Sequence, residues 1–175
     1  MKKLTIAVFS FYLLLLQNIY IANAANNDFE KYYYDIGYKD ISNALSDSSK
    51  HFKKNISLPS QLPELTFTHA FGRLNDLKGE VNDNVEFEFL NENLPNNHFK
   101  INITPIAFKM TFEEKNIEQK VKLKDGSEAI FSTSIIGFNT LVFEKNDLQY
   151  ILSIDEKSEE KITLENLIAI ANSVK

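Results

Sequence analysis

The sequence predicts an α+β domain: an antiparallel sheet of about five to seven strands, with an N-terminal and a C-terminal helix packed on it. Three observations lead there. Apolar residues recur at helical spacing in 26–55, the pattern switches to a period of two from Glu64 onward, and helical spacing returns in 163–174. No repeat and no low-complexity linker interrupts this plan.

In the first segment, Tyr34, Tyr38, Ile41, Leu45 and Phe52 fall on one stripe at about 100° per residue. Lys39, Asp40, Asp47 and Lys50 lie off it. Gly37 weakens the early part, so the helix is placed over 38–54, with Gly37→Ala expected to be neutral or helpful. Leu58-Pro59 and Leu62-Pro63 follow as an extended crossing, because each proline pushes its predecessor out of the helical region.

The strands come next. Val85, Phe87 and Phe89 alternate with Glu86 and Glu88, which predicts a strand with its carboxylates on a wet outer face. Weaker alternation marks 65–71, 100–107 and 109–112 as further strands. Val121 and Leu123 meet Ala129, Ile130 and Phe131 across Asp125-Gly126, a pair that suits a type I′ hairpin turn. A second hairpin joins 139–144 to 148–154 around Lys145-Asn146-Asp147. The chain then ends in a helix with Thr163 as N-cap and Ile162 stapled toward Leu167. Leu164, Leu167, Ile168, Ala171 and Val174 form its apolar stripe, with Ile170 at the margin.

The chain has 175 residues and no cysteine, with 19 basic and 24 acidic groups. One domain fits this length. The missing cysteines exclude a disulfide framework, a thiolate metal site, a cysteine nucleophile and an acylated lipoprotein anchor. Residues 1–24 read as a secretory leader: Lys2 and Lys3, an apolar run over 4–16, then Ala22-Asn23-Ala24 as the cleavage signal. Gln17 and Asn18 cut the run short of the roughly 20 residues a membrane span needs, so no stable anchor is expected after cleavage. Cleavage after Ala24 leaves 19 − 2 = 17 basic against 24 acidic residues, a charge of −7. With a single arginine, nucleic acid is excluded as a partner. The chain is thus divided into a signal peptide (1–24), an N-terminal helical segment (25–55) and a sheet domain ending in a helix (56–175).

Four stretches carry a resemblance. They are Leu58-Pro59-Ser60-Gln61-Leu62-Pro63-Glu64, Lys124-Asp125-Gly126-Ser127-Glu128-Ala129, the hairpin from Leu141 to Tyr150, and the helix from Leu164 to Ser173. Together, over about residues 50–175, they resemble a domain-of-unknown-function family of exported proteins and lipoproteins of low-GC Gram-positive bacteria. Such domains often sit beside anti-sigma-type or lipoprotein-carrier-like modules. Phe143 stands where that family usually has Trp. The resemblance implies an extracytoplasmic, non-catalytic domain and supplies no catalytic residue.

Candidate chemistry is sparse. Glu86 and Glu88 lie about 6.5–7 Å apart on one strand face, near a glycosidase spacing, but a wet face denies them the burial a catalytic acid needs. His51, His69 and His98 show no metal-ligand spacing, with His98 in an Asn-rich loop. Glu80 and Asn82-Asp83-Asn84 form an oxygen-rich turn without the calcium-loop pattern. Ser158-Glu159-Glu160-Lys161 matches Ser-x-x-Lys by letters alone. No cofactor and no metal is expected.

Tyr32-Tyr33-Tyr34 stands out, since consecutive helical residues point about 100° apart and cannot share one core. Tyr34 joins the stripe, which leaves Tyr32 and Tyr33 as candidate binding residues for an envelope protein or cell-wall component. The expected function is a secreted, non-catalytic binding or interaction domain. A cell-wall or peptide hydrolase and a structural or inhibitor-like secreted protein are the alternatives. Mass spectrometry of exported protein is expected to find Ala25 as the first residue, and an intact Met1 would reject the leader assignment.

Overall fold

The structure, a computed structural model, describes residues 28–77, 82–158 and 160–175. The expected leader, its cleavage site, Glu80 and Glu159 lie outside the described residues. The chain divides after Gly37 into two compact units.

In the first unit, residues 28–35 form a helix, α1, followed by a turn at Ile36 and Gly37. Gly37 has φ 95°, a left-handed conformation natural to glycine at a helix end. The expected continuous stripe therefore breaks here. Tyr34 is exposed rather than part of a core stripe, and Gly37→Ala would carry strain instead of relieving it.

The second unit is an α+β domain around an antiparallel sheet. Its elements are β1 (Lys39–Asp40), α2 (Ile41–Phe52), β2 (His69–Asn75), β3 (Asn84–Leu90), β4 (His98–Pro105), β5 (Gln119–Lys122), β6 (Glu128–Ser132), β7 (Phe138–Lys145), β8 (Leu148–Asp155) and α3 (Leu164–Ala171). The sheet has eight strands, in the order β1-β2-β3-β4-β8-β7-β6-β5, rather than five to seven. The added strand β1 is two residues long and pairs with β2, a length that leaves no periodicity to read. Two meanders meet where β4 pairs with β8, and residues 106–118 carry the chain from the centre to the far edge.

Register sorts the side chains onto two faces. Phe87, Ile101, Leu152 and Leu141 lie opposite one another across β3, β4, β8 and β7, and Val85, Ile103, Tyr150, Phe143 and Ala129 form the next row. All are buried in the core, with Ala44 from α2 and Leu167, Ile170 and Ala171 from α3. Ile170 is only 3% exposed, so it belongs to the core and not to the helix margin. Thr163 caps α3 as expected, reinforced by Asn166, whose Oδ1 accepts from the Thr163 N–H at 2.9 Å.

The turns follow the chemistry of their residues. Asn146 and Asp147 both adopt positive φ between β7 and β8, the requirement of a type I′ turn. At Asp125-Gly126, only Gly126 has positive φ, and the Gly126 N–H donates to the Leu123 carbonyl at 3.0 Å. That is a three-residue loop with glycine in the bulge position, not the expected type I′ turn. Of the expected strands, 65–71 is displaced: β2 begins at His69, with Thr68 adding one backbone bond to the Leu90 carbonyl at 2.8 Å, while 109–112 forms no strand and crosses the sheet as an extended strap.

One glycine sets the depth of the core. Gly72 faces Phe87, and a Cβ built there would stand 2.5 Å from the Ala44 Cβ and 2.9 Å from the Phe87 ring. Its bare backbone lets α2 rest directly on β2. Gly72→Ala is therefore expected to cost about 1–3 kcal/mol through overpacking. Gly126→Ala meets open space and suffers only left-handed strain, so chemical denaturation is expected to rank Gly72→Ala as the more damaging.

Candidate binding site

The face opposite the core begins with charge. Glu86 and Glu88 alternate with Val85, Phe87 and Phe89 as expected, but they are 9% and 4% exposed and not on a wet face. Alternation correctly separates the two faces of a strand; it is silent on what covers each face. The cations opposite them explain how the carboxylates remain in this setting. Arg73 Nε donates to Glu86 Oε1 at 2.8 Å, from the directly paired residue of β2. Glu88 Oε1 takes Lys100 Nζ at 2.9 Å and the Tyr38 hydroxyl at 3.2 Å, while its other oxygen meets His98 Nε2. The Arg73 guanidinium also lies 4.5 Å from the centre of the Tyr38 ring.

Burial pushes the Glu88 carboxyl up, but the His98 hydrogen bond and the Lys100 charge outweigh it and hold the group below the ordinary range. Burial likewise raises the Tyr38 phenol, with the neighbouring glutamates adding to the rise. Glu88 is therefore a carboxylate committed to its partners, and a poor proton donor near neutrality.

Across the rest of this face runs the strap at 109–112. Gln149 on β8 holds it by both backbone groups of Met110: the Met110 N–H donates to Oε1 at 2.8 Å, and Nε2 donates to the Met110 carbonyl at 2.8 Å. Lys109 adds an ion pair to Glu144 at 2.7 Å. A cleft opens on each side of the strap. One, of about 440 Å³, has Ile130, Val142, Met110 and Phe112 among its walls, with Glu128 and Glu144 at its edge. The other, of about 470 Å³, is richer in amides: Arg73, Asn75, Asn82, Asn84, Glu86, Asn102 and Thr104 line it, with Phe108, Met110 and Ile151.

Within the second cleft the polar groups divide into two sets. Asn75 donates to Asn84 Oδ1 at 2.9 Å, Asn84 donates to the Asn82 carbonyl at 3.0 Å, and Glu86 is paired with Arg73. The Asn102 and Thr104 side chains make no hydrogen bond among the described residues, and both are half-buried. Phe108 is 37% exposed at the rim. The result is a polar floor with spare donors and acceptors beside an accessible ring, the composition of a site that orients a polar ligand.

The other sequence candidates are dispersed. Tyr32 is 61% exposed on α1, and Tyr33 is half-buried against Phe29 with ring centres 5.3 Å apart. His98 begins β4 instead of lying in a loop. His69 is buried, with Nδ1 2.8 Å from Thr68 Oγ1 and its ring stacked on Phe71. His51 meets Asp83, so the three histidines serve three separate places. Sequence reasoning missed Asn102, Thr104 and Phe108. Alternation within β4 puts the first two on the Lys100 face, a usable signal, whereas Phe108 arrives through a 3-10 turn that no periodicity marks.

No family model, no curated protein and no solved structure matches this chain. The family expected from residues 58–64, 124–129, 141–150 and 164–173 rests on those motifs alone.

Glu88 has a measurable pH signature. A carboxyl titrating lower in the folded than in the unfolded state adds stability above the unfolded value, and that contribution is lost as pH falls through the folded value. Glu88→Gln is expected to cost about 1–3 kcal/mol at pH 7, since Lys100 and His98 lose their acceptor. Below about pH 4.3 the difference from wild type is expected to shrink in urea denaturation; a gap constant down to pH 2 would show that Glu88 is not held as a carboxylate.

Proposed function

We propose that the chain works outside the cytoplasm as a non-catalytic binding domain for a cell-wall component, after export and cleavage following Ala24. The observation that carries the reading is the amide-rich cleft in which Asn102 and Thr104 have no partner among the described residues while Phe108 stands at the rim. A hydroxyl- and amide-rich polymer such as wall glycan matches those groups: its polar edges meet Asn102 and Thr104, and its ring faces lie against Phe108. The exported family that residues 50–175 resemble fits the same setting. Tyr32 and Tyr33 offer a second contact surface, on the α1 unit, toward an envelope protein or the wall itself.

The non-catalytic part of the reading rests on the glutamates. Glu86 and Glu88 are the carboxylates nearest a hydrolytic pair, and both are engaged by cations from neighbouring strands. The charge balance argues further against nucleic acid as the ligand.

Co-sedimentation of the mature protein with purified cell wall tests the proposal. Asn102→Ala and Phe108→Ala are each expected to weaken binding about tenfold, the loss of about 1.4 kcal/mol, with melting temperatures within a few degrees of wild type. Tyr32→Ala/Tyr33→Ala is expected to weaken it less. Failure to sediment would reject the wall as ligand, and release of soluble wall fragments by the wild-type protein would turn the reading to the hydrolase.

A further inference from the structure

We propose that His51, Asp76 and Asp83 form a binding site for a divalent transition-metal ion, with Zn²⁺ as its representative. The three come from separate places: His51 from the last turn of α2, Asp76 from just beyond β2, and Asp83 from just before β3. One ligand atom from each lies within 4.8 Å of the other two. Zinc bonds to imidazole nitrogen and carboxylate oxygen are about 2.0–2.2 Å, so tetrahedral ligand atoms stand roughly 3.3–3.6 Å apart. His51 Nε2 and Asp83 Oδ2, at 2.8 Å, have only to part slightly, and the exposed Asp76 has only to swing in.

Three features make this more than a surface group of acids. The imidazole nitrogen suits a borderline ion such as zinc over calcium or magnesium, which prefer oxygen alone. Asp83 is buried and already oriented, because its Oδ1 accepts the Leu77 N–H at 2.7 Å and so turns Oδ2 toward His51. A support of this kind is the usual companion of a metal-bound carboxylate. Beside the cluster, a cleft of about 340 Å³ lined by His51, Asp83, Phe52, Lys53, Pro105 and Phe108 gives the remaining coordination positions access to water or a ligand. Lys53 is exposed at the left-handed cap of α2, where its long side chain is able to turn away from an incoming cation. Two carboxylates and one neutral imidazole around an open position form the ligand number of a metal site that keeps water bound. His51, Asp76 and Asp83 are none of the residues that line the amide-rich cleft, so the metal site does not rest on the wall-binding reading.

Zinc competition against a chromophoric chelator, using the full mature chain, tests the site. One equivalent is expected to bind with micromolar or tighter affinity and to raise the melting temperature. Asp76→Asn, at an exposed position, is expected to weaken zinc at least tenfold without changing the metal-free melting temperature. His51→Gln is expected to weaken zinc at least tenfold as well, with a lower metal-free melting temperature because Asp83 loses its partner, while excess Ca²⁺ displaces none of the zinc. Co²⁺ in place of zinc is expected to give visible absorption that Asp76→Asn abolishes. Affinity weaker than about 100 μM in wild type, or unchanged zinc binding and Co²⁺ absorption in Asp76→Asn and His51→Gln, would overturn the proposal.

Discussion

The register between β3, β4, β8 and β7 is the constraint on which the rest of the molecule depends. Because side chains alternate with a period of two, the pairing that aligns Phe87, Ile101, Leu152 and Leu141 also aligns Glu88, Lys100, Ser153 and Thr140 on the other side. A slip of one residue would drive Glu86 and Glu88 under α2 and turn Phe87 out of the core. Burying even one carboxylate without a partner would cost several kcal/mol, so the apolar row and the charged row enforce the same alignment. The type I′ turn at Asn146-Asp147 pins one of these pairings directly, since a two-residue loop permits a single register between β7 and β8.

That register also explains why a face bearing four charged side chains, Arg73, Glu86, Glu88 and Lys100, is stable in a half-buried setting. Each glutamate is matched by a cation on an adjacent strand, Arg73 across from Glu86 and Lys100 across from Glu88, and the His98 ring adds a hydrogen bond to Glu88. The ring of Tyr38 then spans the two, donating to Glu88 and lying against Arg73. Such a network adds specificity of register more than raw stability, because desolvation offsets much of the Coulomb attraction. Further along β4 the pattern changes: Asn102 and Thr104 have polar groups, no charge partner and a half-buried setting at the floor of the amide-rich cleft.

The strap at 109–112 and the residues that flank β2 and β3, Asp76, Leu77 and Asp83, solve a different problem. Both are connections, and connections place side chains without any periodicity. Gln149 holds the strap through the two backbone groups of Met110, which fixes Phe108 at the edge of the polar cleft. The Leu77 N–H holds Asp83 in the same manner, by backbone, and so presents its free oxygen to His51. Phe108 lines both neighbouring clefts, so the amide-rich cleft and the cleft beside His51 and Asp83 share a wall while differing in chemistry.

The amino-acid sequence by itself determined the fold class, the inward face of each strong strand, the long hairpin and the capped terminal helix. These follow from alternation, turn residues and capping, all of which act over a few residues. Local pattern also marked Gly126 as a turn residue, though the turn type depended on the two residues before it. Tertiary structure alone decided that Glu86 and Glu88 are buried, that Tyr34 leaves the apolar stripe, and that His51 joins Asp76 and Asp83. Each of these rests on partners 10 to 50 positions away, or on a single left-handed glycine: Tyr38 stands 50 residues from Glu88, and His51 stands 32 from Asp83. A periodic pattern reports which side of a strand a residue takes; the strands, straps and cations that close over that side are set only when the whole sheet is assembled.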